Sequence, residues 1–392
     1  MLGIAFHKSW SGIVVLILLW FTSSGTTVTA LMMQDDGAST LQETASWEIS
    51  NHSFIQAETT LRDVAFLNAT HGWVVGQNET GLGGGIILHT TDGGGSWELQ
   101  LYNRTQRFDA IEITESRTIW VTCKGGLVCS ADNGQSWSSV SVIDGQAGLG
   151  GVWFFNTTHG WTSTMGDIYR TIDGGLTWQN VTSWQFDDVL RDMHFISLDH
   201  FWAIGFYGIY RTDDGGATWQ AEYPRGGWAM SFVSDNEGWA VADDLLLHMT
   251  DSETWVEQAQ PRKSLDPRID APYYTDVLFK DQNHGWIVGL ETPVAFTPNG
   301  GIEWYAQEVP EAVDRRMMAV DFANLTHGWV VGAGGYILRT VNGDGLGALL
   351  ALETGVPPLL ILAGISVAAV SGCCTLFIFI RRRTKASAAP AV

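Results

Sequence analysis

Four aspartates recur in one setting. Asp92, Asp132, Asp173 and Asp214 each stand third in the pattern Ser/Thr-x-Asp-x-Gly-x-Ser/Thr-Trp, written TTDGGGSW at Thr90–Trp97, SADNGQSW at Ser130–Trp137, TIDGGLTW at Thr171–Trp178 and TDDGGATW at Thr212–Trp219. By type a carboxylate is an acid, a base or a metal ligand. Between a hydroxyl residue and glycines it is first an acceptor of backbone N–H groups across a tight turn, so these four are expected to be structural. His71, His159, His284 and His327 would suit a metal, but they hold one turn position in separate repeats, which spreads them apart. No Ser/His/Asp constellation and no His/Cys metal spacing stands out, so no catalytic residue, metal or cofactor is expected.

Recognition is the chemistry that remains. Arg62, Arg191, Trp228, Arg262, Tyr273, Tyr274, Arg315 and Arg316 form a basic-aromatic set, and Arg and Tyr are typical interface anchors. They gain weight from their surroundings. The chain has 21 Lys and Arg against 42 Asp and Glu, a net charge of −21, and every acidic residue falls between Leu31 and Gly355. A surface of that sign excludes nucleic acid as a partner. It makes a local basic patch an exception that an acidic or aromatic protein segment would fit.

The elements that must position these residues follow from the period. The four intact boxes start at positions 90, 130, 171 and 212, and three weaker copies follow at Thr250–Trp255, Thr297–Trp304 (Asn299 for Asp) and Thr340–Gly345. A second motif runs in step: FLNATHGWVVG at Phe66–Gly76, FFNTTHGW at Phe154–Trp161, FISLDHFWAIG at Phe195–Gly205, FVSDNEGWAVA at Phe232–Ala242, FKDQNHGWIVG at Phe279–Gly289 and FANLTHGWVVG at Phe322–Gly332, with ITESRTIWVT at Ile113–Thr122 as the seventh. A repeat of about 40 residues made of short alternating strands means one sheet repeated around an axis. The expected fold is all-β, a seven-bladed propeller of four-stranded antiparallel blades over residues 46–345. Repeat seven lacks a fourth strand, and Ser46-Trp47-Glu48 copies Ser96-Trp97-Glu98. The N-terminal strand from Trp47 is therefore expected to complete blade seven. Counting four residues back from each inner-strand Phe or Ile predicts the positions that enter the central channel: Arg62, Asp109, Gly150, Arg191, Trp228, Thr275 and Met318.

The termini set the compartment. Lys8, the short apolar run Gly12–Phe21 and Val28-Thr29-Ala30 read as a signal peptide over 1–30, cut after Ala30 or at Gly25, with 31–45 a leader. After a linker at 346–357, Pro358–Ile380 holds 23 residues without a charge, and Arg381-Arg382-Arg383 and Lys385 follow. That predicts one transmembrane helix and a cytoplasmic tail over 381–392, with the propeller outside the cell membrane. Seven Asn-x-Ser/Thr sequons, at Asn51, Asn68, Asn78, Asn103, Asn156, Asn180 and Asn324, agree with export and mark glycosylation candidates. Cys123 and Cys129 flank a predicted hairpin and are a disulfide candidate in that setting.

The joined motifs, Asp box plus F-x-N-x-x-H-G-W-x-V-G, resemble the photosystem II stability/assembly factor propellers, over roughly Ser46 to Gly345. The resemblance implies a propeller that holds a membrane-protein partner and catalyses nothing. The chain departs from the chloroplast and cyanobacterial members in its anchor and sequons, so the fold and the habit of binding are what carry over. Asp boxes also occur in sialidases, but Thr60-Leu61-Arg62-Asp63-Val64 lacks their Arg-Ile-Pro signature. A membrane-anchored binding module is the expected function. A sialidase-like carbohydrate-active enzyme and a structural cell-surface glycoprotein are the alternatives.

Overall fold

Each repeat folds as one four-stranded antiparallel sheet, and there are seven of them. The computed structural model describes residues 13–22, 25–34, 47–50 and 58–344, except for 79–83, 143–147, 165, 183–187, 243, 252–253, 259–272, 291, 293, 311–312 and 314–315. In blade 1 the strands run Thr59–Phe66, Gly72–Asn78, Gly84–Thr90 and Glu98–Asn103, from the channel outward. The hairpin of Ile13–Thr22 with Gly25–Gln34 precedes the propeller in sequence. The expected anchor at 358–380 lies outside the described residues. Among the described residues no helix is long and apolar enough to cross a membrane.

The two sequence motifs turn out to be two halves of one packing unit. The Phe that ends an inner strand lies flat against the second-strand Trp of the preceding blade: Phe66 on Trp329, Phe279 on Trp239 and Phe322 on Trp286, with ring centroids 3.3, 3.6 and 3.8 Å apart. The Asp-box Trp of the same blade meets that Phe edge-on, as Trp97 meets Phe66 and Trp304 meets Phe279, both at 6.0 Å. Each of these Phe rings is thus held between two indoles, face to face with one and edge-on to the other, and the edge-on contact is the one that the aromatic quadrupole favours. The Gly of H-G-W faces this Phe across the hairpin. At Gly328 an added Cβ would run into the Phe322 ring, which is why the motif keeps Phe and Gly six residues apart. Blade 2 has Ile113 in the Phe position, and Trp73 packs there in an aliphatic cluster instead.

Closure follows the same geometry. Glu48 and Ile49 pair with Arg339 and Leu338, and Ser50 N–H donates to Ile337 O at 2.8 Å. Trp47 meets Phe322 edge-on at 5.9 Å, so it fills the place that a box Trp fills in the other blades. The ring closes with the N-terminal strand as the fourth strand of blade seven, and the rest of the expected strand, 51–55, lies outside the described residues.

The disulfide expectation is overturned by register. The tight turn at Lys124-Gly125 pairs Cys123 with Gly126, which leaves Cys129 opposite Trp120. Cys123 packs between blades 1 and 2, whereas Cys129 packs against the cluster around Trp120 and Leu127. Both thiols are free. Burial pushes the Cys123 thiol up to about 11, which leaves it an apolar packing group.

Phe322 carries both ring contacts of the closing blade. Phe322→Ala is expected to destabilise by about 3–5 kcal/mol, measured by urea unfolding. Deleting Ser46–Ile55 should leave an unpaired edge on blade seven and drive aggregation, read by size-exclusion chromatography; a truncation that stays monomeric and equally stable would show that the strand is dispensable.

Candidate functional site

A cavity of about 760 Å³ opens at the centre of the ring. All seven positions counted from the inner-strand Phe line it: Arg62, Asp109, Gly150, Arg191, Trp228, Thr275 and Met318. Local strand geometry explains four of them. The pairing of inner and second strands slips by one residue between Leu61 and Asp63, Leu190 and Asp192, Tyr274 and Asp276, and Met317 and Ala319. Arg62, Arg191, Thr275 and Met318 are the extra residues of these β-bulges, which release a residue from the ladder and re-aim its side chain. Opposite the bulges of blades 1, 6 and 7 stand Gly76, Gly289 and Gly332, where a Cβ would strike the bulged backbone.

One step deeper, carboxylates bind the blades together. Asp63 accepts Val64 N–H in its own strand and Ile111 N–H in the next blade, both at 2.8 Å. Asp192 does the same with Met193 and Met230, and Asp276 with Val277 and Val320. Asp321 links Phe322 to Phe66 across the closing interface. Burial pushes Asp63 up to about 7 and Asp192 to about 6, and outweighs the N–H bonds that oppose it. Glu112 rises to about 8 through burial and then through the neighbouring Asp63, Asp192 and Asp321 carboxylates.

The mouth is of opposite character. Asp109 takes ion pairs from Arg107 at 2.8 Å and Arg62 at 3.3 Å. The Arg191 guanidinium lies between two rings, 3.3 Å from the Trp228 centroid and 3.9 Å from that of Phe206. Trp228 Nε1–H donates to the Tyr273 hydroxyl at 2.9 Å. Arg191, Trp228 and Tyr273 are thus one cluster, and Arg62 sits on the same cavity wall. Arg316, beside Met318, is exposed. Arg262 and Arg315 lie outside the described residues.

Tyr274 does not belong to this surface. It is 1% exposed and packs among Trp239, Val277 and Phe279, because neighbouring strand residues face opposite sides and Tyr273 takes the mouth. Phe206 and Tyr207, 55% and 69% exposed, were missed by counting from the inner strand. They stand in the loop between the second and third strands of blade 4. The available signal was two consecutive aromatics in a turn, next to Gly205 and Gly208.

The Asp boxes lie on the opposite rim. In box three, Asp173 accepts the Thr177 N–H at 2.9 Å and the hydroxyls of Thr171 and Thr177 at 2.8 and 2.6 Å. Asp92, Asp132 and Asp214 repeat this pattern, and Asn299 accepts the Glu303 N–H in the same way. Hydrogen bonds, first from the Thr177 hydroxyl, hold Asp173 down at about 2, and those from Ser136 do the same for Asp132. Three sequons also serve a turn. Asn68, Asn156 and Asn324 each accept N–H bonds from the Thr two residues on and the following His. Asp281 does this in blade 6 without a sequon. Asn103 and Asn180 likewise accept Thr105 and Thr182 N–H. Asn78 ends a strand, and Asn51 lies outside the described residues.

The two carboxylate sets predict opposite pH responses. A depressed carboxyl such as Asp173 adds stability above its unfolded value, lost as pH falls from about 4 towards 2. A raised one such as Asp63 favours the fold at low pH, and that contribution fades as pH rises from about 4 through 7. Stability measured by urea unfolding should therefore peak at about pH 4, and Asp63→Asn should flatten its decline towards pH 7. An identical slope in that variant would place the titration elsewhere.

The family described as Photosynthesis system II assembly factor YCF48 matches residues 39–183 and 254–364. A photosystem II assembly lipoprotein Ycf48 of Synechococcus sp. (strain CC9902) is 29% identical over 101 residues, 25% of this chain and 30% of that protein, so the match spans under a third of its length. Among solved structures, YCF48 bound to D1 peptide superposes with a TM-score of 0.59 at 21% identity, over 76% of this chain and 97% of that one. YCF48 from Cyanidioschyzon merolae gives 0.56 at 20%, over 76% and 98%. The GH74 xyloglucanase from Xanthomonas campestris gives 0.59 at 14%, over 76% of this chain and 54% of that one. At such identities the structural likeness is one of fold.

Proposed function

The chain belongs to the photosystem II assembly factor YCF48 family, and from that premise we propose that it is a membrane-anchored assembly-type module that holds a segment of another membrane or surface protein at the channel mouth, without catalysis. The observation that carries this reading is the cluster of Arg191, Trp228, Phe206 and Tyr273 on the mouth of a chain with net charge −21. Complementary charge at such a site sets orientation and association rate, and buried aromatic anchors supply most of the affinity. The solved relative named as bound to D1 peptide supports a peptide as the kind of ligand. The cavity carboxylates Asp63, Asp192 and Asp276 are occupied in binding backbone N–H groups between blades, which suits a scaffold better than a general acid or base. The uncharged run Pro358–Ile380 and its basic flank would tether the propeller outside the membrane with the tail inside, and any glycans on the sequons would then be external.

The full tagged chain, solubilised from membranes, is expected to bring down a protein partner. Arg191→Glu combined with Arg316→Glu should abolish co-purification without lowering the melting temperature. A partner retained by the double variant would move the binding face elsewhere. Turnover of a glycoside by the wild type would replace this reading with the enzymatic one.

A further inference from the structure

The exposed aromatic pair at the mouth is held by one buried carboxylate. Asp188, 4% exposed, lies just before the inner strand of blade 4. It receives four donors. Val189 N–H donates at 2.6 Å, Phe206 N–H and Tyr207 N–H at 2.8 Å each, and the Tyr210 hydroxyl at 2.7 Å. Burial, with the Asp188 carboxylate next, pushes the Tyr210 phenol up, so it stays protonated and keeps donating. A buried carboxylate with its acceptor sites filled fixes the turn it binds. The turn carries Phe206 and Tyr207, whose rings stand 6.2 Å apart at an angle of 45°. An exposed pair of large rings costs solvation unless something covers them, and here the backbone holds them out rather than letting them fold away. The inner edge of the pair is continuous with the mouth, since Phe206 covers one face of the Arg191 guanidinium.

We propose that Phe206 and Tyr207 form a shelf for an aromatic side chain of an acidic peptide segment, and that Asp188 is the positioning residue that sets the shelf in place. The aromatic class follows from two ring faces offered at an angle, which a third ring can meet edge-on or offset. The acidic neighbours follow from the adjoining wall, where Arg191 stands beside two further arginines, Arg62 and Arg107, that share the single carboxylate of Asp109. Asp188, Arg191, Phe206 and Trp228 lie in blades 4 and 5, between the two segments that the family matches, 39–183 and 254–364. The inference rests on the reading of the mouth as a peptide site and adds to it which side chain the peptide must present.

The test uses the full chain in detergent and two synthetic acidic decapeptides that differ only by Trp or Ala at the centre, with binding followed by fluorescence anisotropy. The Trp peptide should bind the wild type about tenfold more tightly, the size of a good aromatic anchor. Tyr207→Ala and Phe206→Ala should remove that increment and leave the Ala peptide unchanged. Asp188→Asn, which keeps one acceptor oxygen, should remove it too, while a purely structural role would weaken both peptides together. Leu176→Ala, on the opposite rim and 81% exposed, should change neither. Equal affinities for the two peptides, or an increment that survives the shelf variants, would overturn the shelf; an increment that survives Asp188→Asn would overturn the positioning role. Binding of cellohexaose that Tyr207→Ala abolishes would make the shelf a carbohydrate platform and overturn the peptide assignment. Should neither peptide bind while the natural partner is still lost on Arg191→Glu, the shelf falls and the mouth stands.

Discussion

The architecture depends on one ring at six of its seven blade junctions, with Ile113 in its place at the other. An inner-strand Phe lies flat on the indole of the blade before it and receives the edge of its own blade's box Trp. This contact couples motifs that are far apart in sequence, so no blade is finished without its neighbour. It explains why Phe, Gly and Trp keep their spacing in blades 1, 3, 5, 6 and 7 while the loops do not. It also explains closure, because Trp47 arrives from the other end of the chain to take the same seat on Phe322. The ring closes through the interaction that built it.

A second, polar belt lies inside the aromatic one. Carboxylates at the channel wall take one N–H from their own strand and one from the next blade, so a group with an unfavourable burial serves as a bridge. The cost shows in the raised proton affinities of Asp63, Asp192 and Asp276. The Asp-box carboxylates hold the same kind of bond at the solvated rim and show the reverse shift. One functional group does two jobs, and the solvent around it decides which protonation state the fold favours.

The fold was legible because its determinants repeat. Spacing alone exposed the blade count, the missing strand and the seven channel positions. The site was legible only in part. Arg191 and Trp228 stood out by type, but their stacking with Phe206 did not, since it joins an inner strand to a loop with a ring no repeat specifies. Tyr273 and Tyr274 were indistinguishable until the strand register assigned one to the mouth and one to the core. Asp188 carried no signal, being one acid among 42 whose four donors meet only in three dimensions. Cys123 and Cys129 misled because short separation in sequence suggests proximity, whereas a two-residue turn sets the register past it. At Asn68, Asn156 and Asn324 the triplet also serves the turn, because its Asn accepts the N–H of its Thr.

The bulges separate two burdens that most strands carry together. A residue released from the ladder gives no pair to the sheet; Arg62, Arg191 and Met318 turn to the cavity, whereas Thr275 is buried and donates its hydroxyl to Met317 O of the next blade. Arg62, Arg191, Thr275 and Met318 are a basic pair, a hydroxyl and a thioether in equivalent places, and the backbone around each is the same. Substitution at Arg62, Arg191 and Met318 therefore moves through chemical space at little expense to folding, while Thr275 is held by its bond to blade 7. The channel lining is in effect an interchangeable alphabet mounted on an invariant frame, which gives lineages with one scaffold room to diverge in what they recognise.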